Sequence, residues 1–295
     1  MRNMKISTAQ LAKICGVSQG TVDRALNNRT GISKKTKDMI VDTAVKYGYR
    51  PSVGNISSKQ IGIIVFNLNN EYLTSLVTEV EYALRQLGYT ASVMFSHYSG
   101  EDEIECIKIL YNSGVEGIVL CSVNSGEEFV NFISTLEIPV VCVGNNIEGI
   151  PYIGIDDFLA MKEMTEYVIN KRYSNIIFFS PALKYTDAYA QKKRFEGFMA
   201  GLNGFVNYSI VTDIEQLENK TSVNNAIICS TDYYAIKAYA KGLDADIYGF
   251  DNIKSLREYN LPIKSVDYSV KLIAQQAISS LLNKNTRDVI IRHNI

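Results

Sequence analysis

From Ile61 onward the chain alternates two textures. Short β-branched runs (IGIIVFN, TASVMF, EGIVLCS, IPVVCV, YIGI, NIIFFS, NAIICS and DIYGF) are separated by amphipathic stretches of helical period, clearest at 71–87, 101–113, 158–172 and 269–283. Nearly continuous apolar strands between such helices predict parallel sheets covered on both faces. One sheet does not comfortably hold so many units, so the pattern predicts two lobes with a cleft between them. Ligands of open α/β sheets sit beyond the carboxyl ends of the strands. Polar residues stand at those ends here: Asn67, Asp156, Thr231 with Asp232, and Asp251.

Residues 6–48 carry the pattern of three short helices. Ser7 or Thr8 caps the first, with Leu11, Ala12 and Ile14 on its inner face, and Gly16 ends it where a left-handed residue costs least. Ser18 opens the second, SQGTVDRALN, which turns Val22, Ala25 and Leu26 inward. Ser33 caps a third, striped by Ile40, Ala44 and Tyr47 and stopped by Gly48 and Pro51. Ser52 to Gln60 is small, polar and linker-like. The predicted organisation is a head at 1–50, a linker at 51–60 and a body at 61–295. Within the body, the first lobe takes about 61–170 and 268–285 and the second about 171–267 and 286–295.

Charge sharpens this division. The net charge is only −1, yet residues 1–60 hold 11 Lys/Arg against 3 Asp and no Glu, giving +8, while the rest holds 19 against 28, giving −9. A basic head on an acidic body implies a polyanionic partner for the head alone. The hydrophobic share of 46% suffices for a sizeable core, and no apolar run approaches the ~18 residues of a membrane span. MRNMKISTAQ lacks the apolar core of a secretory signal. A cytoplasmic chain with no membrane partner is therefore expected. The five cysteines are odd in number and show no CxxC spacing; three lie in apolar strand-like runs, which predicts buried free thiols. With two histidines, no metal site is expected, and no cofactor either. There is no GxSxG, P-loop or GxGxxG and no nucleophile with a paired base, so catalysis is not expected.

In the head, Ala12, Gly16 four residues on and Val22 six further have helix-turn-helix spacing. Two helices crossing steeply need a small residue at the close approach and a permissive one at the turn. An ordinary three-helix bundle fits the same pattern; charge and position favour the DNA-binding motif.

The run GVSQGTVDRALN, followed by ISKKTK and GYRP, resembles the lactose-repressor (LacI/GalR) family of bacterial transcriptional regulators. The resemblance extends over the whole chain, because the body is similar to that family's sugar-binding domain. It implies an N-terminal all-α helix-turn-helix head joined to a two-lobed α/β sensor domain with parallel sheets, of the type I periplasmic-binding-protein kind. It further implies a homodimer that binds a pseudopalindromic double-stranded DNA operator under control of a small-molecule effector, a sugar first and a nucleoside-like ligand second. Gln19 and Gly20 fall at the two base-reading positions that open the recognition helix, and Arg24 resembles the arginine that reaches a base edge. Gly20 departs from the pattern, since it has no side chain with which to read. Ser18, Thr21, Asn27, Ser33 and Thr36 match phosphate-contacting positions, and Ser7 is counted with the same DNA-binding set. Asp23 either orients Arg24 or is solvated and idle, the second being favoured.

In the cleft, the resemblance assigns effector contacts to Tyr72, Asp156, Tyr189, Arg194, Thr231, Asp251 and Tyr268. Arg194 and Asp251 would grip vicinal hydroxyls between them; a purely structural Arg–Asp pair is the alternative. Thr231 stands where asparagine is usual and Tyr268 where glutamine is, while Asp156 and Asp157 resemble a pair at the crossover out of the first lobe. Tyr185 and Tyr189 lie near enough to stack on a sugar. The family's linker helix follows Pro-x-x-x-Ala-x-x-Leu, but after Pro51 this chain has Asn55 and Ser58 at those spacings. Val53 and Ile56 are then the candidate hinge residues, and little bending of the operator is expected. The family's tetramers use a further leucine-heptad helix, whereas this sequence runs to RDVIIRHNI, which reads as a last strand; a dimer is expected. Two other readings remain open, a DNA-binding regulator with a ligand-independent scaffold and a non-regulatory soluble sugar-binding protein.

Overall fold

A computed structural model describes residues 6–26, 29–47, 49, 58–184, 189–220 and 224–295. Asn27, Gly48, Pro51, Val53, Asn55, Ile56 and Tyr185, named above, lie outside the described residues. The head is built from α1 (Thr8–Cys15), α2 (Gln19–Leu26) and α3 (Lys34–Lys46). Ser7 and Gln10 cap α1 reciprocally: Ser7 Oγ accepts from the Gln10 amide at 3.3 Å and Gln10 Oε1 accepts from the Ser7 amide at 2.7 Å. Gly16 closes α1 at φ 65°, a conformation that L side chains resist. Leu11, Ala12, Val22, Ala25, Ile40 and Ala44 form the small core.

Two expected core positions in the head face solvent instead. Ile14, in the last turn of α1, is 46% exposed, because two turns of helix bury only Leu11 and Ala12 against so small a core. Tyr47 is also 46% exposed, since α3 ends at Lys46 and leaves it outside the helical stripe. Tyr49 takes its place, buried with its hydroxyl 2.7 Å from Thr8 Oγ1. Asp23 is neither idle nor beside Arg24 in function: it pairs with Arg29 at 3.1 Å.

The body begins with β1 (Gln60–Val65), α4 (Glu71–Gln86), β2 (Thr90–Phe95), α5 (Gly100–Ser113), β3 (Ile118–Leu120), α6 (Glu127–Ser134), β4 (Val140–Val143) and β5 (Tyr152–Gly154). It continues with α7 (Asp157–Ile169), β6 (Asn175–Phe179), α8 (Tyr189–Gly201), β7 (Tyr208–Val211), β8 (Asn225–Cys229), α9 (Asp232–Ala240), β9 (Asp246–Phe250), α10 (Lys254–Glu258) and β10 (Ile263–Tyr268). The chain then forms α11 (Val270–Leu282), β11 (Val289–Ile290) and β12 (His293–Asn294). Two six-stranded sheets result, ordered β11-β5-β4-β3-β1-β2 and β12-β10-β9-β8-β6-β7. Among the described residues, every strand pairing is parallel except the short β10–β12 contact. The nearly unbroken burial of β3, β4 and β8 matches their apolar runs. All five cysteines are free thiols, four of them buried. Among the described residues, no helix is long and apolar enough to cross a membrane.

The lobe boundaries differ from those expected in two places. Helix α7 belongs with the second sheet, because it packs directly on α8 and touches β10. The first crossover therefore lies at 155–157, where Asp156 and Asp157 were matched to a crossover pair, and not at the lobe bound of 170. The run RDVIIRHNI is not one strand but two: β11 pairs with β5 in the first sheet, and β12 with β10 in the second. Amphipathicity marks α7 as a helix without saying which sheet it covers, and a run of four or so apolar residues carries no sign of a break.

Helices α7 and α8 come together through glycine. A Cβ at Gly197 would stand 2.2 Å from the Phe158 carbonyl oxygen, and one at Gly201 2.7 Å from that of Lys162. Gly197→Ala should force the helices apart and cost about 1–3 kcal/mol of stability, an overpacking effect readable by urea denaturation. A variant as stable as the parent would contradict this packing.

Candidate functional site

Between the lobes lies a cleft of about 610 Å³, walled by the segments that follow the carboxyl ends of the strands. The first lobe contributes Phe66 and Asn67 after β1, Ser122 and Val123 after β3, and Asn145 after β4. The second contributes Gln191 and Arg194 from α8, Thr231 after β8, Asp251 after β9 and Tyr268 at the end of β10.

Arg194 is the centre of the polar wall. Its guanidinium lies over the Phe250 ring, 3.7 Å from the centroid, where cation–π attraction and packing fix it. Nε donates to Asp157 Oδ1 at 2.7 Å, Nη1 donates to the Ser230 carbonyl at 2.7 Å, and Nη1 is 3.4 Å from Asp251 Oδ1. Tyr268 donates its hydroxyl proton to the same Asp251 oxygen at 2.7 Å. All four groups are buried. Burial pushes Asp157 above the ordinary carboxylate range against the pull of Arg194, and pushes Asp251 up to about 6. Burial alone would lower Arg194, but Asp157 and Asp251 reverse that and hold it charged. Asp251 also has φ 111°, in the region side chains avoid, so the fold holds its carboxylate where relaxed backbone would not.

The rest of the wall is aromatic. Phe66 stacks on Tyr98 at 4.6 Å, and Tyr72 meets Tyr268 edge-on at 6.0 Å. One buried acceptor of the wall, Gln191 Oε1, has no hydrogen-bond partner among the described residues. A site with aromatic faces, buried carboxylates and an unsatisfied amide oxygen suits a ligand rich in hydroxyl donors and bearing an apolar face.

Residues 58–239 match the family model described as periplasmic binding proteins and sugar binding domain of LacI family. The chain belongs to this family. Among curated relatives, catabolite control protein A of Priestia megaterium is 24% identical, with 97% of this chain and 95% of that protein aligned. The HTH-type transcriptional repressor PurR of Histophilus somni (strain 129Pt) is 25% identical, over 93% of this chain and 90% of its own. Among solved structures, the Lac repressor dimer bound to operator and the anti-inducer ONPF aligns with a TM-score of 0.70 at 16% identity, covering 99% of this chain and 97% of that one. The complex of the regulator CelR with cellobiose aligns at 0.66 and 18% identity, covering 99% of both.

Within this LacI-family fold, the structure brings together five of the seven predicted effector residues: Tyr72, Arg194, Thr231, Asp251 and Tyr268. Asp156 and Tyr189 do not line the cleft. Asp156 is the N-cap of α7, its Oδ1 accepting from the Leu159 amide at 2.9 Å, and it is Asp157 that turns inward. Tyr189 stands at the outer start of α8, 37% exposed beneath Lys193, while Ala190, Gln191 and Arg194 share the cleft-facing stripe. Thr231 also N-caps α9, accepting from the Tyr234 amide, which limits its freedom toward a ligand. Ser122, Asn145, Gln191 and Tyr98 were missed. Ser122 directly follows the apolar run EGIVLC, and Asn145 follows IPVVCV after one glycine, the same signal that picked out Asn67.

On the head, Ser18, Gln19, Gly20 and Arg24 are exposed along one end and side of α2. Ser18 Oγ bonds Thr21 Oγ1 at 2.8 Å and accepts from the Thr21 amide, and Ser33 repeats the arrangement with Thr36. Each of these caps sets a pair of hydroxyl groups at the positive end of a helix dipole, and Lys34 and Lys35 at the start of α3 are exposed beside the second.

Proposed function

We propose that this LacI-family chain is a DNA-binding transcriptional regulator of repressor type, with its operator affinity set by a sugar or sugar derivative held between the lobes. The observation that carries the reading is the conjunction of a basic three-helix head exposing Gln19 and Arg24 with a cleft built on Asp157, Arg194 and Asp251. In this reading Arg24 reads a base edge, and Ser7, Ser18, Thr21, Asn27, Ser33 and Thr36 fix register on phosphates. Tyr72, Asp157, Gln191, Arg194, Thr231, Asp251 and Tyr268 hold the effector. The cleft binds and does not turn over its ligand, and the protein works in the cytoplasm beside its DNA. A thermal-shift panel of neutral monosaccharides, disaccharides and nucleosides tests the effector class. One sugar at ~100-fold its Kd should stabilise the chain by about 2.7 kcal/mol. A panel without any shift would favour the ligand-independent scaffold.

The operator-binding unit in this reading is a homodimer joined through the first lobes. Tyr82 on α4, Leu87 at its C-cap, and Val93 and Phe95 on the edge strand β2 are exposed close together in the chain, and a stable pair needs about 800 Å² covered per partner. Light scattering at micromolar concentration should give a dimer, and Leu87→Asp with Phe95→Asp should give a monomer. A stable tetramer would contradict the assignment. The linker carries the third expectation. No leucine stands where a minor-groove wedge is needed, so Ile56→Ala should cost no more than about 0.5 kcal/mol of operator binding. A large loss, or a complex kinked at its centre with Ile56 inserted, would overturn it.

A further inference from the structure

Helix α5 touches both functional ends of the molecule. At its first turn Glu103 is fully buried, and its carboxylate accepts from Ser122 Oγ at 2.6 Å, the Val123 amide at 2.7 Å and Asn124 Nδ2 at 3.1 Å. Ser122 and Val123 are cleft wall, and Asn145, also cleft wall, donates to the Ser122 carbonyl. One buried side chain thus fastens α5 to the loop that a ligand would press against.

The opposite attachment is to the head. Lys37 of α3 pairs with Glu105 at 3.5 Å, and Asp42 of α3 pairs with Lys108. Val45 of α3 is 6% exposed and belongs to the apolar cluster of Cys106, Ile107, Leu110 and Tyr111. Residues 105, 108 and 112 share one helical face, with 112 angularly between the other two. Asn112 is 4% exposed, and neither its Oδ1 nor its Nδ2 has a partner among the described residues. Docking therefore rests on two rim ion pairs and one valine of α3, with α2 also touching α5, beside a buried amide that has no partner among the described residues. Such a contact is weak enough to be released, since partly exposed ion pairs contribute little. Gln19 and Arg24 stay exposed while the head is docked.

We propose that α5 is the coupling element of this protein: its Lys37–Glu105 and Asp42–Lys108 pairs dock the head on the first lobe, and Glu103 makes that docking sensitive to the Ser122–Val123 wall of the cleft. In a dimer, docking fixes the separation and orientation of two heads without any folded linker. The inference uses the reading of the cleft as an effector site, but its test needs neither ligand nor DNA, so each can fail alone.

The test compares the full chain with Lys108→Glu and with the exchanged pair Asp42→Lys/Lys108→Glu. Backbone ¹⁵N relaxation reports whether the head tumbles with the body, and hydrogen exchange reports protection of the Val123 amide. The parent head should tumble with the body. Lys108→Glu should free it and, because coupling is reciprocal, should speed Val123 exchange by about fivefold or more, the low end of ordinary couplings. The exchanged pair should restore both, and unchanged melting of all three excludes a folding defect. Glu103→Gln should speed exchange along α3 while leaving the ion pairs in place. An independently tumbling parent head, unaltered tumbling in Lys108→Glu, or head release without any change at Val123 would overturn the proposal.

Discussion

Arg194→Ala should lower the unfolding free energy by about 3–5 kcal/mol, the cost of leaving buried charges without their partner. It should also abolish effector binding. Arg194 is held by Asp157, the Ser230 carbonyl, Asp251 and the Phe250 face before any ligand is present. Removing it strands two carboxylates already raised by burial. Without the guanidinium their folded-state pKa values rise further, so the folded variant binds protons that its unfolded chain does not. Stability of a group with a raised folded pKa is retained below the unfolded value and lost as pH climbs through the folded one. The deficit relative to the parent should therefore be small near about pH 5 and larger near about pH 8, as read by urea denaturation at both. A deficit independent of pH would mean the carboxylates do not depend on Arg194. Asp251→Asn, which keeps Arg194 paired to Asp157, should spare more stability while still weakening the effector.

Arg24→Ala should cost about 1–3 kcal/mol of operator binding and relax preference at one base pair in each half-site. Arg24 is exposed in α2 and has no ion-pair partner among the described residues, while Asp23 engages Arg29 instead. Its fork is thus available for the paired acceptors of a guanine edge. Lys34→Ala should instead weaken all sequences alike and reduce the salt slope by about one unit, as loss of a phosphate contact does. If Arg24→Ala behaved in that second way, measured on a set of single-base operator variants, its base-reading role would be wrong.

The sequence made the two-lobed parallel architecture legible because buried parallel strands are written as unbroken apolar runs, from IGIIV to DIYGF. Strand ends located Asn67, Thr231 and Asp251 for the same reason, and Asn145 after IPVVCV was there to be read. What remained hidden depends on direction rather than on pattern. Adjacent Asp156 and Asp157 look alike in sequence, yet the helix cap takes one and the cleft the other. Tyr189 and Gln191 are two residues apart on a helix and so face different ways. Arg194 is at once structural and a cleft residue, so the two readings of the Arg–Asp pair were never exclusive. The helix crossing at Gly197 and the docking of α3 on α5 join segments far apart in the chain, and neither leaves a local signature.

Whether the basic head binds a specific operator under control of the cleft is tested most directly by selection from a random double-stranded DNA pool by the full chain, followed by affinity of the recovered sequence against salt and against the stabilising sugar. A pseudopalindrome bound by a dimer is expected, with affinity falling steeply as salt rises and shifting when the sugar is added. Recovery of no preferred sequence, or of an operator whose affinity no cleft ligand alters, would contradict it.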